Sequence, residues 1–99
     1  MLDLPTNERP LPLRRRPDIA TRLRSTRRGR EWICKDPVRR RYYSLSEIEH
    51  ALWQMLDGQV SLAQIKQRFA REFAPRQLET GQFVMFLARL FRQELIIST

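Results

Sequence analysis

The chain has 99 residues, 41% of them apolar and 30% charged, with a formal net charge of +8. That length suits one domain with one modest core. No apolar run nears the roughly 20 residues that a bilayer span needs, and the Arg-rich N-terminus has no apolar segment behind it, so neither insertion nor secretion is expected. Cys34 is alone, which excludes an internal disulfide, fits a reducing compartment and leaves a buried structural cysteine as the expectation.

The charge is uneven. Residues 1 to 41 carry thirteen basic and five acidic side chains, whereas residues 42 to 99 carry six of each. A basic front half invites anionic partners, and a neutral rear half suits a packed module. Chemistry is harder to place. The single histidine, His50, and the single cysteine give no zinc spacing, and no acid–base pair, nucleophile constellation or phosphate loop accompanies them. The chain is therefore not expected to be an enzyme, nor to hold a metal or cofactor.

In chain order, residues 1–17 (MLDLPTNERPLPLRRRP) are rich in proline and arginine without a steady period, and are predicted to be an extended or disordered arm preceding a domain over 18–99. DIATRLRS alternates Ile19, Thr21 and Leu23 with Ala20, Arg22 and Arg24, the period of a strand with one solvated face. TRRGR makes a loop, and EWICKD a second strand with Trp32 and Cys34 opposite Ile33. Asp36-Pro37 opens a tight turn carrying Arg39, Arg40 and Arg41. RYYSL returns as the third strand, with Tyr43 and Leu45 on one face and Tyr42 and Ser44 on the other.

Three helices follow. Ser46 to Glu49 and Ser61 to Gln64 each form a capping box. Behind the first, Ile48, Ala51, Leu52, Met55 and Leu56 recur at helical spacing until Asp57-Gly58; behind the second run Leu62, Ile65, Phe69 and Phe73, ending at Pro75. A third helix over 79–93 presents Phe83, Phe86, Leu87, Leu90 and Phe91, and LIIS closes as a short strand or extended tail. Three short antiparallel strands and then three helices predict an α+β, winged-helix-like fold.

LSEIEHALWQMLDGQVSLAQIKQRFAREF, with its Leu-Asp-Gly turn and Ser-Leu-x-x-Ile-x-x-x-Phe run, resembles the PqqD family. Those domains are also called recognition elements for ribosomally made, modified peptides. RPDI, EWICKDPVRRRYYSLS and FAPRQLETGQFVMFLARLFRQELI resemble the PqqD-like region at the N-terminus of bacterial site-2-type zinc metalloproteases and HlyD-like efflux adaptors. The likeness covers residues 17 to 97. Two departures stand out: such chains often carry glycine near Arg40 and at the position of Glu94. No HExxH occurs, so the protease chemistry of the larger relatives is lacking in this sequence.

The resemblance implies a cytoplasmic peptide- or protein-binding module, or the cytoplasmic part of a membrane protein. The peptide would add as a strand beside the third strand and lie against the third helix. Carried over by position, the candidate contacts are Arg41, Tyr42 and Ser44 on the strand, and Gln82, Met85, Arg89 and Arg92 on the helix. Met85 can adapt to an apolar anchor and the arginines can meet acidic residues. Tyr43, in phase with Leu45, is expected in the core.

The rival reading is a winged-helix nucleic-acid binder using the basic half. The third helix, however, opens on Glu79 and has no basic residue in its first two turns. Weak, nonspecific binding to nucleic acid or to an anionic membrane surface is compatible with either reading, and homodimerisation is left open.

Overall fold

The computed structural model describes residues 6–99. A 3₁₀ turn, Thr6–Glu8, precedes strands β1 (Leu13–Arg15), β2 (Ala20–Thr26), β3 (Gly29–Asp36) and β4 (Arg41–Ser46); helices α1 (Glu47–Gln54), α2 (Leu62–Glu72) and α3 (Thr80–Arg92) follow, and β5 (Ile96–Ser98) closes the chain. β2, β3 and β4 form an antiparallel sheet in that order, and β1 pairs with β5 in a second, two-stranded one. The class is α+β.

Alternation and register agree throughout the larger sheet. Thr21, Cys34 and Tyr43 stand opposite one another, as do Leu23, Trp32 and Leu45, and these rows face the core. Cys34 and Leu45 are fully buried there. The β2–β3 turn needs a left-handed residue, supplied by Gly29 at φ 122°. At the β3–β4 turn the Asp36 carboxylate accepts hydrogen bonds from the backbone N–H of Val38 (2.9 Å) and Arg39 (3.2 Å). Arg41 is the first residue of β4, opposite Asp36, where the sequence predicts that the RYYSL strand begins.

Residues 13–15, which lie in the sequence's aperiodic arm, form a strand; residues 1–5 of that arm lie outside the described residues. Leu13, Arg14 and Arg15 pair with Ser98, Ile97 and Ile96. The Leu11 N–H donates to Val60 and that of Arg15 to Leu56, while Leu13 accepts from Gly58. Leu11 and Leu13 pack against the core. No local period could announce this strand, since its partners lie some forty to eighty positions away.

Both capping boxes are complete, with Ser46–Glu49 and Ser61–Gln64 each exchanging side-chain and backbone bonds. Leu52, Met55 and Leu56 of the first apolar run are buried, as are Ile65 and Phe69 of the second. Trp53 joins them, its indole N–H donating to the Leu95 carbonyl at 3.0 Å; the turn into β5 provides that acceptor. Phe91 differs from expectation and is 48% exposed. At about 100° per residue it falls at the rim of the stripe defined by Phe83, Phe86 and Leu90, and it projects past the edge of the core.

Candidate functional site

β4 pairs with β3 on one side only, so among the described residues its other edge carries no strand. Two hollows bracket it. One, of about 360 Å³, is lined by Ile48 and Glu49, just after β4, and by Gln82, Phe83 and Phe86 of α3. The other, of about 550 Å³, is lined by Val38 and Arg39, just before β4, and by Phe91 and Glu94 at the end of α3. Strand and helix thus share both ends. Between the hollows lie roughly 13 Å of helix and roughly 17 Å of strand, enough for four or five extended residues.

The α3 face along this stretch is apolar and basic. Met85 is 74% exposed and Val84 56%, both large apolar side chains that a folded domain ordinarily covers or uses. Gln82 and Arg92 are exposed beside them and Arg89 is half-buried. Arg89 is not free. Its Nη1 donates to Glu49 Oε2 at 2.8 Å and its guanidinium lies 5.4 Å from the Phe86 ring centre. Glu49 uses its other oxygen to accept from the Ser46 N–H, so the α1 capping box and α3 are tied together. Arg89 Nε is buried without a partner.

Of the residues the sequence singled out, Gln82, Met85, Arg89 and Arg92 share the α3 face. Arg41, Tyr42 and Ser44 lie on β4, and the side chains of Tyr42 and Ser44 point to the outer face of the sheet, away from the core. Ser44 Oγ donates to Glu31 Oε2 at 2.7 Å, and Tyr42 lies under Lys35 Nζ at 5.8 Å. A strand added at β4 would meet these two through their backbones. Sequence reasoning missed Val84, Val38 and Glu49. Val84 lies next to Met85 but off the apolar stripe, and Val38 is hidden among arginines. Glu49 is visible in the sequence only as a cap.

A clasp holds the β3–β4 turn against the end of α3. Asp36 is fully buried and receives Arg16 Nη1 at 2.8 Å and Nη2 at 3.2 Å. Arg16 also donates to the Glu94 carbonyl at 3.0 Å, and Arg39 pairs with the Glu94 carboxylate at 2.5 Å. The Arg16 guanidinium, aided by the turn N–H groups, lowers the Asp36 carboxyl to about 2, and the Arg16 pKa is raised in return. Among the described residues, two non-glycine residues have positive φ: Arg40 at 56° and Glu94 at 58°.

Cys34 is buried and its thiol is pushed up to about 11 by desolvation, which leaves it protonated and unreactive. His50 stacks on Trp32 with ring centres 3.8 Å apart; burial, with a smaller contribution from Arg15, lowers its pKa. Among the described residues no group of three or more His, Cys, Asp or Glu side chains could hold a metal, and no helix is long and apolar enough to cross a membrane.

The family model described as coenzyme PQQ synthesis protein D (PqqD) matches residues 31–96, the stretch that holds β3, β4, all three helices and the start of β5. No curated protein and no solved structure gives a match to the chain.

Proposed function

Because the chain belongs to the PqqD family, whose domains bind peptides as recognition elements, we propose that it is a non-catalytic peptide-binding module whose ligand adds as a strand to the free edge of β4 and lies along α3. What supports the reading is the exposed Met85 on α3, together with two hollows that α3 lines jointly with the residues just before and just after β4. Backbone hydrogen bonds would supply affinity and the α3 face selectivity. The ligand would bear one apolar anchor for Met85, and acidic residues for Arg92 and Arg41, neither of which has an ion-pair partner among the described residues. The resemblance of its sequence to the N-terminal PqqD-like regions of membrane metalloproteases and efflux adaptors supports a place in the cytoplasm, either by itself or as the cytoplasmic part of a membrane protein.

The test begins with peptides selected from a random displayed library on the intact chain, followed by titration of the best synthetic peptide. Met85→Asp should weaken binding at least tenfold and leave the melting temperature within a few degrees, because so exposed a side chain contributes little to the core. Tyr42→Pro should also weaken binding by removing an edge amide. Normal affinity in both folded variants would move the site elsewhere.

A further inference from the structure

We propose that the opposite edge of the same sheet, β2 with the outer sheet face beside it, is a second docking surface, and that it takes an acidic extended segment. This edge is independent of α3. Cross-strand register places Ala20, Lys35 and Tyr42 in one outer row and Arg22, Ile33 and Ser44 in the next. A hollow of about 690 Å³ is lined by the β2 residues from Ala20 to Ser25 and by Ile33, Lys35 and Tyr42 of these rows. Its lining includes Arg22, Arg24 and Lys35 and no carboxylate. Glu31, which stands opposite Arg24 in the ladder, is committed to Arg24 and to Ser44. Among the described residues Arg22 and Lys35 have no ion-pair partner, so the hollow has positive charge that none of these residues compensates.

The edge itself selects a peptide. β2 has 7 residues, of which only Thr21 is not exposed, and among the described residues the backbone N–H and C=O groups on its outer side have no ladder partner. Another polypeptide backbone can satisfy both kinds of group at strand spacing, whereas the sugar–phosphate backbone of DNA offers only acceptors. Nucleic-acid strands also favour successive stacking platforms, and Tyr42 is the one aromatic side chain in the lining. A second copy is disfavoured too, since antiparallel β2–β2 pairing would set Arg22 and Arg24 against their own kind on the outer face. The period of two then dictates the partner. Residues beside Arg22 and Arg24 should be acidic, and those beside Leu23, which is 40% exposed, should be apolar.

An acetylated peptide amide alternating valine and glutamate, as long as β2, tests this directly, with a valine–lysine peptide and an oligodeoxythymidylate of equal length as controls. Amide chemical shifts of the intact ¹⁵N-labelled chain should move saturably from Ala20 to Ser25 with the acidic peptide. Arg22→Glu combined with Lys35→Glu should weaken that binding by about tenfold or more, with both variants checked by thermal melts, and Met85→Asp should leave it unchanged. Equal binding of the lysine peptide, tighter binding of the oligonucleotide, shifts confined to residues 41–45 and α3, or no saturable shift would each overturn the proposal. So would peptide-independent dimerisation that buries the β2 amides.

Discussion

The chain contains two arginine triplets, Arg14 to Arg16 and Arg39 to Arg41, and the fold treats them in opposite ways. The first ends in a side chain that is 14% exposed, held bidentately by a carboxylate with no solvent exposure. The second lies on an exposed turn whose one ion pair, Arg39 with Glu94, joins two half-exposed groups. Identical residues thus do different work. Arg16 neutralises a charge that the turn cannot release to water, whereas Arg39 adds a solvated contact. The two are also linked, because the Asp36 that Arg16 clasps is the residue that folds the turn carrying Arg39 and Arg40.

The largest expected effect breaks this comparison at its buried side. Arg16→Ala strands the Asp36 carboxylate with only its two turn amides and leaves the Glu94 carbonyl without this donor. Loss of one partner of a buried pair is strongly destabilising, and for a chain of this size the melting temperature should fall by roughly 10 °C or more. Arg16→Lys should recover only part of that, since an ammonium cannot make the bidentate contact. A melt of Arg16→Ala within about 2 °C of wild type would show the clasp to be dispensable.

Acid should remove the same difference. The folded-state pKa of Asp36, about 2, lies below the ordinary value near 3.9, so the unfolded chain takes up the proton first as pH falls. The clasp's stabilisation is fully present above about pH 5 and is lost as pH falls through 4 toward 2. Denaturant midpoints of wild type and Arg16→Ala should therefore converge across that window. A gap that stays constant down to pH 2 would mean that the pair contributes through packing rather than charge.

Smaller effects sharpen the exposed side. Arg40→Gly and Glu94→Gly each relieve a left-handed backbone that a Cβ disfavours, and should each raise stability by about 1 kcal/mol. For Glu94→Gly the gain is partly offset by loss of the Arg39 pair. Arg39→Ala should be the mildest change, within about 0.5 kcal/mol, as befits a solvated ion pair. Chemical denaturation resolves all three. A destabilisation by Arg39→Ala comparable to that of Arg16→Ala would erase the distinction between the triplets.

Much of the architecture was legible locally. The capping boxes at Ser46 and Ser61, the Asp57-Gly58 stop and the alternation of β2, β3 and β4 depend on hydrogen bonds and periods that close within a few residues. The α3 part of the candidate site was visible for the same reason: Gln82, Met85, Arg89 and Arg92 fall on one helical face. The β4 part was legible only as an edge, because the choice between sheet faces sends Tyr42 and Ser44 outward, toward Lys35 and Glu31.

Sequence by itself determined which residues alternate, which recur every third or fourth position, and where helices begin, since each of these is settled by neighbours along the chain. Tertiary structure decided which of the arginines would be buried, that Leu13 to Arg15 would pair with β5, that Trp53 would find the Leu95 carbonyl, and that Phe91 would be left at the rim. Each of those outcomes depends on a partner that some twenty to eighty residues of intervening chain bring into place, or, for Phe91, on where the core ends. A charge or an apolar ring takes its role from what surrounds it, and that environment exists only once the chain has folded.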